Sequence, residues 1–165
     1  MDSLKKQLES RMKVRFPDCD PFNHLHNSRY IDYMITARED QVLEHYELDL
    51  HRLALQQGIG WVSAKTEISY LKPAYLNELV TIETRVLHMS EKSLLFEALM
   101  WNEDKTVLKS VMWTRLVHYN IKTGKSQPHS AELLEFFGRV VDPLPAAAGF
   151  DERVAQLRSQ LISTI

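Results

Sequence analysis

At 165 residues, 44% of them hydrophobic and 25% charged, the chain is long enough to bury one substantial core and is ordinary for a soluble globular protein. A net charge of −2 offers no electrostatic footprint for nucleic acid or an anionic membrane, and a lone cysteine, Cys19, excludes an intrachain disulfide. No apolar run approaches the roughly 20 residues that span a bilayer, and the start of the chain lacks the apolar stretch of a signal peptide, so the expected compartment is the cytoplasm.

Residues 1–11 are polar, with Leu4 and Leu8 four apart, and read as a helical turn or a loose terminus. A short strand is expected at 12–16. Residues 18–30 then crowd Asp18, Asp20, Pro21, Asn23, His24, His26 and Asn27 into one junction. Polar groups packed between a strand and a helix make a poor core and a good site, because a rigid scaffold can hold them open to a ligand. From Tyr30 the periodicity turns helical: Ile31, Ile35, Val42 and Tyr46 share a face that Tyr30, Met34 and Ala37 widen. Asn27 or Ser28 is expected to cap that helix, since a short side-chain oxygen accepts the unpaired N–H groups of a first turn. A stripe this wide implies a helix pressed against something large.

Residues 48–60 read as a connector with a short helical piece. The period then drops to two, with Val62, Ala64, Thr66, Ile68 and Tyr70 alternating against polar neighbours until Pro73 ends the strand. Further strands are expected at 79–89, 93–101 and 106–119, joined by short polar turns in an antiparallel meander. A short helix at 130–137, capped by Ser130 and stopped by Gly138, leads to a proline- and alanine-rich linker and a last helix bearing Val154, Leu157 and Leu161. Residues 1–138 thus form one domain, and 139–165 a linker and helical extension. A single sheet with one wide-faced helix leaves an edge and an open end, so pairing with a second copy is expected.

The pattern Val14-Arg15-Phe16-x-Asp18-x-Asp20-x-x-x-His24-x-x-Asn27-x-x-Tyr30 resembles the hotdog-fold acyl-CoA thioesterases of the 4-hydroxybenzoyl-CoA thioesterase type. The later Thr66-Glu67-Ile68-Ser69-Tyr70-Leu71-Lys72-Pro73-Ala74 is similar to that family's strand and proline turn. The resemblance implies an α+β hotdog fold, an antiparallel sheet of about five strands wrapped around one long helix. It also implies a homodimer or homotetramer with sites between subunits, an acyl-CoA or related thioester as substrate, and no cofactor or metal. Asp20 matches the family's catalytic carboxylate. One branch of the family has glycine and an apolar residue where this chain has Asn23 and His24, and another has histidine in place of Asn27. Lys92 and Ser93 align with a stretch that meets the CoA nucleotide, with Arg115 and Lys122 as weaker partners for the same phosphates.

Thioester hydrolysis requires a carboxylate that attacks the carbonyl or takes a proton from water, donors facing the developing oxyanion, and a pocket for the acyl group. Asp20 fills the first role as nucleophile or general base; the competing reading is a turn-forming aspartate before Pro21. Helix N-terminal amides near Asn27 and Ser28 supply the second, with Asn27 as polarising side chain or plain cap. His24 orients Asp20 or water, or is an ordinary loop histidine. His26 reads as a surface residue, Asp18 as structural, Cys19 as a packed side chain and Glu39 as a solvated helix position. Tyr30, Tyr33, Met34, Trp61, Tyr70, Trp101 and Trp113 are the pool from which an acyl pocket would be lined, most of them being core. Two other classes compete: a hotdog module that binds an acyl thioester without cleaving it, and a metal site of Asp18, Asp20, His24 and His26. A hydratase pairing His24 with Glu39 is a further option on the same fold.

Overall fold

In the computed structural model, which describes residues 3–162, one curled antiparallel sheet wraps a long helix, α1 (Asn27–Tyr46). Residues 1–2 of the polar terminus and 163–165 of the extension lie outside the described residues. The strands are β1 (Leu8–Lys13), β2 (Ile59–Tyr70), β3 (Leu79–Met89), β4 (Ser93–Asn102), β5 (Leu108–Asn120) and the two-residue β6 (Lys125–Ser126). A short helix α2 (Leu50–Gln57) precedes β2, and α3 (Ala131–Val140) and α4 (Phe150–Ile162) follow the sheet. The sheet order is β1-β3-β4-β5-β2, with β6 on β5: a hotdog fold.

Two expectations are corrected by this topology. Only β3, β4 and β5 form a meander; β2 crosses to the far edge beside β5, so residues 71–78 must traverse the end of the sheet before β3 begins. The first strand runs over Leu8–Lys13, not 12–16, and pairs with β3 from Leu8↔Thr84 to Lys13↔Leu79. Its alternation is weak in the sequence because the inward positions, Leu8, Ser10 and Met12, include a serine, while Glu9, Arg11 and Lys13 point outward.

Alternation sorts the two faces of the sheet. Val80, Ile82, Phe96, Ala98, Met100 and Met112 face inward onto Tyr30, Tyr33, Met34 and Ala37 of α1. Each such large apolar side chain contributes roughly 1.5–3 kcal/mol through removal from water. The buried stripe of α1 is rotated from the expected one: it runs through Tyr30, Tyr33, Met34, Ala37, Gln41 and Val42, while Ile31 and Ile35 flank it. Gln41 is tolerated there because its Nε2 donates to Ser10 Oγ and the Ile82 carbonyl, and its Oε1 accepts from Thr84 Oγ1. The helix closes at Glu47, which adopts φ 55° so that its N–H and that of Leu48 reach the Leu43 and Val42 carbonyls.

The outer face is covered as well. There Leu99, Leu108 and Val111 meet Val154 and Leu157 of α4, whereas α3 packs at the far end of α1, with Phe137 and Val140 on the inward-facing Val86 and Leu94 and Phe136 edge-on to Tyr46. Ser130 caps α3 as expected, but the helix continues through Gly138 to Val140. Among the described residues no helix is long and apolar enough to cross a membrane.

Near α3 two histidines stack at 4.8 Å beside Trp61. His129 Nε2 accepts from Trp61 Nε1 at 3.0 Å, so its Nδ1 carries the proton and faces the Ser90 carbonyl at 3.2 Å. Burial, then the neighbouring His118, holds the His129 imidazole below its ordinary 6.5. A proton on Nε2 would also oppose the Trp61 donor. The sign follows: above about pH 6.5 both folded and unfolded chains hold this group neutral, and below it the unfolded chain takes up a proton that the fold refuses. Thermal midpoints are expected to fall as pH drops from about 7 to 5, and His129→Gln, whose amide oxygen can still accept from Trp61, is expected to flatten that dependence.

Candidate active site

The site is assembled where the chain passes from β1 to α1. After a 3-10 turn at Phe16–Asp18, Cys19 and Leu25 face each other as an antiparallel bridge, and the chain between them reverses tightly. The Asp20 N–H donates to the His24 carbonyl at 2.8 Å and the Asn23 N–H to the Asp20 carbonyl at 3.0 Å. Asn23 takes φ 61°, a left-handed conformation that asparagine tolerates better than most residues. Asp20 Oδ1 accepts from the N–H groups of Phe22 (2.9 Å) and His24 (3.1 Å), whereas no hydrogen bond among the described residues engages Oδ2. The carboxylate is thus held by one oxygen and open at the other.

A second segment backs this loop. His24 bridges Tyr75, the Leu25 N–H donates to the Ala74 carbonyl at 2.8 Å, and the Leu76 N–H to the Asn23 carbonyl at 2.9 Å. The His24 ring meets Tyr75 edge-on at 5.0 Å, and its nitrogens make no hydrogen bond among the described residues. Asp20, His24 and Asn27 come together with Tyr30, Tyr70 and Lys72 around a cleft of about 210 Å³. Tyr70 donates to the Asn27 carbonyl at 2.8 Å and lies edge-on to Tyr30, whose hydroxyl accepts from the Ala74 N–H. Burial raises the Tyr30 hydroxyl above its usual range, so it stays protonated at neutral pH.

The cap of α1 is His26, not Asn27 or Ser28. Its Nδ1 accepts from the Ser28 N–H at 3.2 Å and lies 2.8 Å from Ser28 Oγ. An imidazole nitrogen can play the acceptor part that short oxygens usually take. That frees Asn27, the first helical residue, whose backbone N–H and side-chain amide find no partner among the described residues. The helix dipole adds positive potential at the same place.

The other candidates lie elsewhere. Asp18 Oδ2 accepts from Tyr33 Oη at 2.7 Å, Arg29 sits 3.7 Å from Oδ1, and burial followed by Asp18 pushes the Tyr33 hydroxyl up to about 12. Burial, then Asp18 and Asp20, raises the Cys19 thiol, which disfavours a thiolate. With Asp18 turned to Tyr33 and His26 to Ser28, the four residues considered for a metal do not converge; among the described residues no group of three or more such side chains is placed to hold an ion. Burial raises the Glu39 carboxyl; this residue lines a separate groove of about 610 Å³ between α1, α2 and β2.

Lys92 and Ser93 are not brought to Asp20 within one chain. Ser93 sits opposite Val117, and Tyr70 at the cleft opposite Ser110, so the two ends differ by about 23 Å along β5. Arg115 and Lys122 also lie away from the cleft lining. Of the aromatic pool only Tyr30 and Tyr70 reach the cleft. Trp61 borders the larger groove, and Trp101 and Trp113 donate on the outer face to Glu83 and Glu97. Lys72, which no motif marks as a site residue, also lines the cleft; its sequence signal is its place directly before Pro73.

The comparisons with known proteins bear on the family and the fold. The model of the Thioesterase-like superfamily matches residues 14–137. The chain is 27% identical over 135 residues to the long-chain acyl-CoA thioesterase FadM of Escherichia coli, covering 81% of this chain and 99% of that one. It is 25% identical over 97 residues to the acyl-CoA thioester hydrolase YbgC of Escherichia coli, covering 59% and 71%. A crystal structure of a hypothetical protein from Thermus thermophilus superposes with a TM-score of 0.73 at 25% identity, covering 81% of this chain and 97% of that one.

Proposed function

The chain belongs to the thioesterase-like superfamily, and from that premise we propose that it hydrolyses an acyl-CoA thioester to free acid and thiol, with Asp20 as its reacting carboxylate. The observation that carries this reading is the half-engaged carboxylate: Oδ1 is fixed by two backbone N–H groups and Oδ2 is open in a cleft at a helix N-terminus. As general base, Oδ2 takes a proton from water while the water oxygen adds to the thioester carbon; the C–S bond then breaks and the thiolate leaves with that proton. As nucleophile, Oδ2 adds to the same carbon, expels the thiolate and leaves an acyl anhydride for water to open. In either course the charge that grows on the carbonyl oxygen is met by the free Asn27 N–H, its side-chain amide and the helix dipole. His24 and Tyr70 frame the carbonyl, and long-chain substrates are favoured by the likeness to FadM.

The working form on this reading is a homodimer, alone or within a tetramer. The cleft of about 210 Å³ is smaller than the roughly 300–1,000 Å³ that even drug-sized ligands occupy, so one chain does not enclose an acyl-CoA. β2 runs for 12 residues with one side unpaired, an edge that natural sheets seldom leave bare. Antiparallel pairing of two β2 strands would set the Tyr70 end of one beside the Trp61 end of the other. Within one chain the Lys92 carbonyl accepts from the N–H of His118, which pairs with Trp61, so such a dimer would bring a second copy's Lys92 and Ser93 toward the nucleotide. The decisive assay mixes the protein with short-, medium- and long-chain and aromatic acyl-CoAs and follows free thiol. Thiol release on at least one of them is expected; tight binding throughout with none released would favour a binding module instead.

A further inference from the structure

We propose that Lys109 is a positioning residue for this site, tying the cleft wall to the Asp20 loop; the inference rests on the thioesterase reading and deepens it. Lys109 is only 6% exposed at the start of β5, an expensive place for an ammonium unless its charge is matched. Among the described residues the match comes from residues 73–78. Nζ donates to the Pro73 carbonyl at 2.9 Å, pairs with Glu78 Oε1 at 2.8 Å and lies 5.4 Å above the Tyr75 ring. The Lys109 carbonyl meanwhile accepts from the N–H groups of Leu71 (2.8 Å) and Lys72 (3.1 Å). One residue therefore holds both ends of the crossing segment that carries Leu71, Lys72 and Pro73 into the cleft.

The same segment reaches the reacting loop. Glu78 Oε2 accepts from the Tyr75 N–H at 2.8 Å, so the ion pair sets Tyr75, and Tyr75 bridges His24 and meets its ring. The His24 N–H in turn donates to Asp20 Oδ1. The path from ammonium to carboxylate is Lys109, Glu78, Tyr75, His24, Asp20, each step a contact given above. A displacement of about 1 Å in a reacting group can cost a hundredfold in rate, so loosening this path acts on the chemical step more than on binding.

The test compares wild type, Lys109→Met and the double variant Lys109→Met/Glu78→Gln, which leaves no unpaired, half-buried carboxylate. Lys109→Met is expected to lower kcat by about a hundredfold with KM within about threefold, and to speed amide exchange at His24 and Leu25. The double variant is expected to recover the thermal midpoint but not kcat. A kcat that returns together with the midpoint, or His24 and Leu25 amides that keep wild-type protection in Lys109→Met, overturns the proposal. If wild type itself cleaves no acyl-CoA, the thioesterase reading fails, and the exchange data still decide whether Lys109 holds the loop.

Discussion

Asp20→Asn is expected to lower kcat for acyl-CoA hydrolysis by at least about a hundredfold while leaving the fold and thermal stability in place. The two halves of that expectation come from the two oxygens. Oδ1 holds the N–H groups of Phe22 and His24, a task an amide oxygen performs equally well. Oδ2 becomes an NH₂ group, which neither attacks a carbonyl nor accepts a proton at neutral pH. Asp20→Ala removes both functions and so mixes lost chemistry with a loop missing its acceptor, a loss of about 1 kcal/mol or somewhat more. The asparagine variant therefore isolates the chemistry, and stopped-flow thiol release with circular dichroism on the same sample reads both halves. Wild-type turnover in Asp20→Asn would remove Asp20 from the mechanism. Loss of turnover accompanied by loss of fold would mean that the turn needs the charge itself.

Much of this was legible because local rules and tertiary packing agree. Strands β3, β4 and β5 are apolar with clear polar turns, and β3 in particular runs over the expected residues. The crowding around Asp20 was legible for the opposite reason: polar side chains accumulate where burial cannot reward them. What escaped notice depends on partners distant in the chain. Gln41 is fully buried because Ser10, Ile82 and Thr84 satisfy its amide, and nothing within α1 announces that. β2 reads as the start of a meander because its neighbour β5 lies some 40 residues on, and periodicity carries no information about strand order. An imidazole seldom caps a helix, so the sequence does not announce His26, and a lysine inside a strand reads as solvated unless Glu78 and Pro73 are seen around Lys109.

The extension's attachment to the sheet supplies the second large expected effect: Arg153→Met should destabilise the protein by about 3 kcal/mol, roughly 6–12 °C in thermal midpoint, without altering KM. Glu97 is 1% exposed on the outer face of β4, where an unpaired carboxylate would be untenable. Arg153 meets it from α4 with two hydrogen bonds of 2.8 Å, Trp113 Nε1 donates at 2.9 Å, and Arg85 stands at 3.3 Å while also pairing with Asp142. Burial alone would push the Glu97 carboxyl up; the bonds from Arg153 and Trp113 and the charges of Arg153 and Arg85 outweigh it and hold the group below its ordinary 4.5. Stability from this group is therefore present above about pH 4.5 and lost as pH falls further. Removing Arg153 leaves the carboxylate to the more distant Arg85 and withdraws the polar anchor that accompanies Val154 and Leu157 on α4. Arg153→Met/Glu97→Leu leaves no lone charge in that layer, so its loss should fall below the sum of the single variants, because the penalty lies in the orphaned ion more than in the missing pair. Chemical denaturation of the four proteins reads the coupling directly. Additive losses would mean that Glu97 and Arg153 act independently and that apolar contacts alone hold α4 on the sheet.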